Sequence, residues 1–194
     1  MNDYIKMLSD QNKLSISISP NRWQFDENPY IISGPCSVES EEMIVDWAQK
    51  MKRIGVNALR GGAYKPCTYP ITKEIGNNGW KEGLREDGLR FLKTAREESG
   101  LPIVSEIMDS NQITESTMDC IDIVQVGTRN FQNYTLLDAL GELDVPILLK
   151  RGTWGTIDEI LGAVERILVR GNEKVAICLR GVVGMPSYRH VFPS

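Results

Sequence analysis

The sequence predicts an α/β fold built on a parallel sheet, and three observations carry that prediction. From residue 30 onward six short apolar runs alternate with helical segments, and parallel neighbours need crossovers of the kind helices supply. The runs are apolar at nearly every residue rather than every second one, as in strands covered on both faces. The composition is that of an ordinary folded chain. Of 194 residues, 41% are hydrophobic and 25% charged, which excludes intrinsic disorder.

Residues 1–28 read as an N-terminal extension and 29–194 as the main domain. In the extension, Leu14-Ser15-Ile16-Ser17-Ile18 alternates with period two, and Ser19-Pro20-Asn21 is a turn signal. A short hairpin with Trp23-Gln24-Phe25 is expected. The main domain opens with the strand Tyr30-Ile31-Ile32-Ser33. Ser40 is then placed as an N-cap with Glu41 and Glu42 in the first turn. Met43, Ile44, Trp47, Ala48, Met51 and Ile54 mark one helical face, which Gly55 ends. Val56–Leu59 is the second strand, followed by a loop rich in Gly, Pro and Asn over residues 61–83. A helix over 84–99 closes at Gly100, and Leu101–Ser105 is the third strand. A short helix over 111–118 leads to the fourth strand, Ile121–Val126, and a helix over 134–143 to the fifth, Val145–Leu149. Thr156-Ile157-Asp158-Glu159 is a capping box opening a helix that Gly171 ends. Lys174–Leu179 is the sixth strand.

Two architectures fit this order, a (β/α) barrel and an open doubly wound sheet. No G-x-G-x-x-G follows the first strand, which weakens a dinucleotide-binding open sheet. A full barrel takes eight units and about 250 residues, and six units are visible here.

Charge and cysteine usage narrow the class. Lys+Arg is 22 and Asp+Glu is 26, a net charge of −4, which argues against a general nucleic-acid binder. No apolar run approaches the roughly 18–20 residues of a membrane span, and the N-terminus lacks a secretory signal pattern. The four cysteines form no C-x-x-C pair, so a reducing, cytoplasmic setting is expected. Cys120 and Cys178 lie in apolar runs and read as small buried hydrophobes.

The informative regularity lies at the strand ends. The successive strands run into Gly34-Pro35-Cys36, Arg60-Gly61-Gly62, Glu106, Gly127-Thr128-Arg129-Asn130, Lys150-Arg151-Gly152 and Arg180-Gly181. In a parallel barrel these ends meet at one mouth, where active sites sit. Arg60, Arg129, Lys150 and Arg180 would then converge, and like charges brought together need an anion or carboxylates to compensate them. The planar fork of arginine suits carboxylate and phosphate. Lys65, in a loop stiffened by Pro66 and Pro70, adds a fifth cation. The expected ligand is small, strongly anionic and phosphorylated. Cys36 is a candidate metal ligand or nucleophile. Glu106 would balance the cations, help hold a metal or substrate, or anchor a structural ion pair. His190, the one histidine, reads as a tail residue.

Four motifs in order, Gly34-Pro35-Cys36-Ser37-Val38-Glu39, Leu59-Arg60-Gly61-Gly62-Ala63-Tyr64-Lys65-Pro66, Gln125-Val126-Gly127-Thr128-Arg129-Asn130-Phe131-Gln132-Asn133 and Leu148-Leu149-Lys150-Arg151-Gly152, resemble the 3-deoxy-D-arabino-heptulosonate 7-phosphate synthases. The match is to the shorter type related to octulosonate phosphate synthases and covers about residues 29–190. The resemblance implies a TIM-type (β/α) barrel, incomplete here at about six of eight units. It implies condensation of phosphoenolpyruvate with erythrose 4-phosphate, releasing phosphate, as the first step of the shikimate pathway to aromatic amino acids. It implies a divalent metal cofactor (Mn, Fe, Co or Zn) with Cys36 as a ligand, acting as a Lewis acid on the aldehyde. Arg60, Lys65, Arg129, Lys150 and Arg180 would hold phosphoenolpyruvate, with Lys65 the candidate catalytic residue and Thr68 a further substrate contact.

Three departures are visible. The family loop Lys-Pro-Arg-Thr-Ser has Cys67 in place of its arginine and Tyr69 in place of its serine, which leaves the aldose phosphate open. Leu179 stands where the family often has an acidic or polar residue. The remaining metal ligands of the family, a His, a Glu and an Asp, come from the seventh and eighth units, and this sequence ends before them. An incomplete barrel exposes a sheet edge, so a homo-oligomer is expected. The alternatives are an octulosonate phosphate synthase using arabinose 5-phosphate and a non-catalytic barrel that retains anion binding.

Overall fold

The strands pair in the order in which the chain lays them down. The computed structural model describes residues 15–17, 22–24, 29–67 and 83–181. The expectations placed on Thr68, Tyr69 and His190 lie outside these residues. The N-terminal period-two run pairs antiparallel as β1 (Ser15–Ser17) with β2 (Arg22–Gln24), Ile16 opposite Trp23. The main sheet follows as β3 (Ile32–Ser33), β4 (Ala58–Arg60), β5 (Ile103–Glu106), β6 (Ile123–Val126), β7 (Ile147–Lys150) and β8 (Val175–Cys178). All neighbours are parallel and the spatial order equals the chain order.

That order decides between the two architectures. A doubly wound sheet reverses its strand order and carries helices on both faces. Here the order never reverses, and the helices cover one face. Leu59, Ile103, Val124, Val126, Ile147 and Leu149 share one apolar core with the helical residues Ile44, Ala48, Leu92, Leu137, Leu140 and Ile167. A second, smaller core on the strands holds Ala58, Val104, Ile123 and Ala176, with Leu148 and Ile32 packed on it, and contains no helical residue. The sheet is a six-stranded parallel half-barrel with its helices outside.

The helices are delimited by their caps. Helix α1 (Glu41–Arg53) begins where the Ser40 side chain accepts a hydrogen bond from the Met43 backbone N–H, with acidic residues in its first turn and Lys50, Lys52 and Arg53 in its last. Its buried stripe is Ile44, Ala48 and Met51. Trp47 and Ile54, expected on that stripe, are exposed. Both lie too far round the 100° rotation per residue from the Ala48 line to reach α2 (Arg85–Ser99). Helix α2 closes on Gly100 in the left-handed conformation, φ 69°.

The single helix expected over 111–118 is two short turns. A 3-10 turn (Ser110–Gln112) is closed by a capping box from Asp109, and α3 (Glu115–Met118) is started by the Thr114 hydroxyl. Each local hydrogen bond competes with helix continuation at the junction. Helix α4 (Tyr134–Gly141) is capped by Asn133, and α5 (Ile157–Leu168) by the Thr156–Glu159 capping box read from the sequence.

Candidate functional site

Period two places the site. Side chains alternate across a strand, so the residues two steps beyond the inner apolar layer of Ala58, Val104, Ile123, Leu148 and Ala176 lie on the same inner face. They are Arg60, Glu106, Gln125, Lys150 and Cys178. All five line one cavity of about 460 Å³ at the C-terminal ends of the strands, together with Cys36, Tyr64, Lys65, Thr128, Arg129 and Arg180. The five cations nominated from the sequence, Arg60, Lys65, Arg129, Lys150 and Arg180, are therefore gathered around one space.

The loops are shaped for close approach. Gly34, at φ 150°, lies so near the Arg60 carbonyl that any Cβ would overlap it. This brings the loop bearing Cys36 down beside the loop bearing Lys65. The Lys65 Nζ donates to Cys36 Sγ at 2.8 Å. That bond, more than the nearby Arg60 charge, holds the thiol below its ordinary pKa, against the opposing effect of burial. Arg129 Nη1 donates to the Pro66 carbonyl at 3.3 Å, tying the loop after β6 to the loop after β4. Tyr64 donates to Glu86 Oε1 at 3.0 Å, and burial pushes its phenol up to about 12.

The floor of the cavity is acidic and nearly dry. Glu106 is 9% exposed and Gln125 2%. Gln125 Nε2 donates to Glu106 Oε2 at 2.8 Å, while Glu106 Oε1 and Gln125 Oε1 have no hydrogen-bond partner among the described residues. A Cβ at position 127 would collide with Glu106 Oε1, so Gly127 is what lets the loop after β6 pass over the carboxyl. Burial raises the Glu106 pKa, and the Gln125 hydrogen bond and the charges of Lys150, Arg60 and Arg129 only partly offset it. Lys150 is shifted down by burial first and by the Arg60 charge second. Among the described lining residues one buried carboxyl faces five cations, an excess of positive charge that fits an anionic ligand.

A raised carboxyl pKa has a signed consequence for stability. The folded chain holds the Glu106 proton more firmly than the unfolded chain. Its contribution is fully present below the unfolded pKa and is lost as pH rises through the folded one. Glu106→Gln keeps an acceptor for Gln125 and removes the titration. Melting curves at about pH 5 and about pH 8 should therefore show a smaller loss of stability at the higher pH in the variant than in the parent. An equal loss in both would refute the buried-carboxyl account.

The metal expectation finds little support in the donor set. Among the described residues no group of three or more His, Cys, Asp or Glu side chains is gathered to hold a metal ion. Cys36, the candidate ligand nominated from the sequence, is engaged by the Lys65 ammonium. The described residues as they stand do not make a metal site.

Sequence reasoning missed four residues of the neighbourhood. Gln125 was hidden inside an apolar run. Cys178, expected as a buried hydrophobe, is half-buried and lines the cavity. Arg151 is 2% exposed and donates to the carbonyls of Gly155 at 2.7 Å, Gly152 at 3.4 Å, Gly181 at 3.4 Å and Arg180. Thr128 accepts from Arg180 Nη1 at 2.8 Å. A neighbouring cavity of about 410 Å³ shares Tyr64 but has Arg85 and Glu86 as its only charged lining residues among those described, so it lacks the excess of cations. No helix among the described residues is long and apolar enough to cross a membrane.

The sequence and the fold are similar to those of known proteins. The chain is 41% identical over 152 residues to the phospho-2-dehydro-3-deoxyheptonate aldolase of Thermotoga maritima, covering 78% of this chain and 42% of that protein. It is 27% identical over 151 residues to the 2-dehydro-3-deoxyphosphooctonate aldolase of Syntrophotalea carbinolica, covering 78% of this chain and 54% of that one. The crystal structure of the Thermotoga maritima phospho-2-dehydro-3-deoxyheptonate aldolase (DAHP synthase) superposes with a TM-score of 0.79 at 35% identity, over 92% of this chain and 49% of that one. The chain spans about half the length of the curated relatives it matches. Residues 16–190 match the family model for the DAHP synthetase I family, and the chain belongs to that family.

Proposed function

We propose that this half-barrel carries the phosphoenolpyruvate site of a 3-deoxy-D-arabino-heptulosonate 7-phosphate synthase, a transferase of aromatic amino acid biosynthesis. The carrying observation is the convergence of Arg60, Lys65, Arg129, Lys150 and Arg180 on one cavity of about 460 Å³. In the proposed reaction C3 of phosphoenolpyruvate bonds to the aldehyde carbon of erythrose 4-phosphate. Water adds at C2, and phosphate leaves from that carbon.

The cations account for three demands of this chemistry. They hold the carboxylate and phosphate of the enol phosphate in one orientation. They stabilise charge on the departing phosphate. They also replace the water that a trianion loses on entering the cavity. Lys65 is proposed as the catalytic residue at the cavity edge, with Thr68 as a further contact. No step is assigned to a metal, since among the described residues no group of three or more His, Cys, Asp or Glu side chains is gathered to hold one.

The octulosonate reading stays second, because the relatives of that name match at lower identity. A non-catalytic anion-binding reading is the third, since the gathered cations would by themselves bind an anion. Calorimetric titration of the full chain with phosphoenolpyruvate, followed by turnover assays with each aldose phosphate and added manganese, separates the three. Turnover with erythrose 4-phosphate supports the proposal, turnover with arabinose 5-phosphate replaces it, and binding without turnover favours the third. Arg129→Ala is expected to weaken phosphoenolpyruvate binding at least about tenfold, the value of one charge-assisted contact. Unchanged affinity would remove Arg129 from the site.

A further inference from the structure

Arg180 is, with Arg129, one of the two exposed members of the gathered cations. It follows β8, its side chain is exposed, and its neighbours Arg129 and Lys150 on the cavity wall repel it. A long, flexible guanidinium in that field swings toward solvent unless something holds both its backbone and its tip.

Two side chains do so. Arg151 lies almost wholly buried, and among the described residues it forms no ion pair with a carboxylate. Its guanidinium is used on main-chain carbonyls instead. One nitrogen serves the loop after β7, at Gly152 and Gly155, and the other serves Arg180 and Gly181 at the exit of β8. A buried cation has strong need of these acceptors, so it fixes where residue 180 leaves the sheet. Thr128 fixes the other end. Its hydroxyl donates to the Arg151 carbonyl at 3.4 Å, which commits its proton and leaves its lone pairs to accept Arg180 Nη1 at 2.8 Å. We infer that Thr128 and Arg151 are positioning residues that hold the Arg180 guanidinium over the anion cavity, an inference that rests on the phosphoenolpyruvate reading of that cavity.

The test is a double-mutant cycle on the full chain with a ligand-free control. Thr128→Val is nearly isosteric and removes only the hydroxyl. It should weaken phosphoenolpyruvate binding about fivefold, and Arg180→Ala about tenfold or more. If Thr128 acts through Arg180, the double variant binds as Arg180→Ala alone does. If the losses multiply, to about fiftyfold, Thr128 acts on the ligand directly and the inference is overturned.

The control is the rate of phenylglyoxal modification at Arg180, followed by peptide mass mapping with no ligand present. Release from Thr128 or from Arg151 should raise that rate in Thr128→Val and in Arg151→Met. An unchanged rate in Thr128→Val overturns the inference, whether or not Arg151→Met folds. Should the parent chain fail to bind phosphoenolpyruvate while Thr128→Val still speeds modification, the substrate reading falls and the positioning of Arg180 stands.

Discussion

Phe131→Ala is expected to lower the free energy of unfolding by about 3–5 kcal/mol, the range for deleting a buried aromatic ring. Phe131 is 0% exposed and follows directly on the turn that carries Thr128 and Arg129. Its ring fills the space that side chains at 152 and 155 would need, since a Cβ on either glycine would overlap it. Trp154 covers it with centroids 5.9 Å apart and planes tilted by 56°, within the favourable range for aromatic pairs. The ring is thus a spacer between the loop bearing Arg129 and the loop that follows Lys150. Truncation leaves a void under both, and the two glycines cannot fill it. The cost should therefore appear twice, in a lower denaturant midpoint and in a phosphoenolpyruvate affinity reduced about tenfold, as for a displaced charged contact. Phe131→Leu should fall between. A stability loss under about 1 kcal/mol in urea unfolding would show that the site collapses freely and that the spacer role is wrong.

How far the sequence could be read turns on which signals are local. The Ser40 cap, the Thr156–Glu159 box and Gly100 are decided within one turn of helix, and the structure has them where the sequence puts them. The basic residues at the strand ends were visible as a repeat, and the strand register gathers them. Gln125 was not, although counting by two from Ile123 reaches it as surely as counting from Ala58 reaches Arg60. A neutral amide in an apolar run carries no charge to draw notice. Arg151 and Thr128 escaped for another reason. Arg151 is one step out of phase with Lys150, so alternation turns it away from the inner face, and only the three-dimensional return of Gly155, Arg180 and Gly181 gives it partners. Trp47 shows the converse error. Its spacing suits the helical stripe, but the partner helix is met along the line of Ile44, Ala48 and Met51. Which edge of an apolar face is covered depends on the neighbour's angle, and that angle is not a local property.

Lys150→Met should raise the melting temperature and, in the same variant, lower phosphoenolpyruvate affinity by about 10- to 100-fold. Both signs follow from one arrangement. Without a bound anion, the ammonium is partly buried and faces Arg60 and Arg180 with Glu106 as its carboxyl counterweight, and burial and Arg60 together depress its pKa. A base whose folded pKa is lowered costs stability while protonated. That cost is recovered as pH rises through the folded pKa, and stability from the group is lost again as pH falls through it. Methionine has a similar length, fills irregular apolar space and carries no charge to desolvate, so the cost disappears and the empty protein is firmer. The ligand reverses the balance. A phosphate or carboxylate beside Lys150 favours its charged form, and the variant has nothing to offer in return. Added phosphoenolpyruvate should accordingly raise the melting temperature of the parent and leave that of the variant nearly unmoved. A variant that loses stability and affinity together would make Lys150 a structural residue, and one that gains stability with affinity unchanged would place it outside the ligand's reach. The predicted opposition of signs is what distinguishes a cation kept for binding from a cation kept for folding.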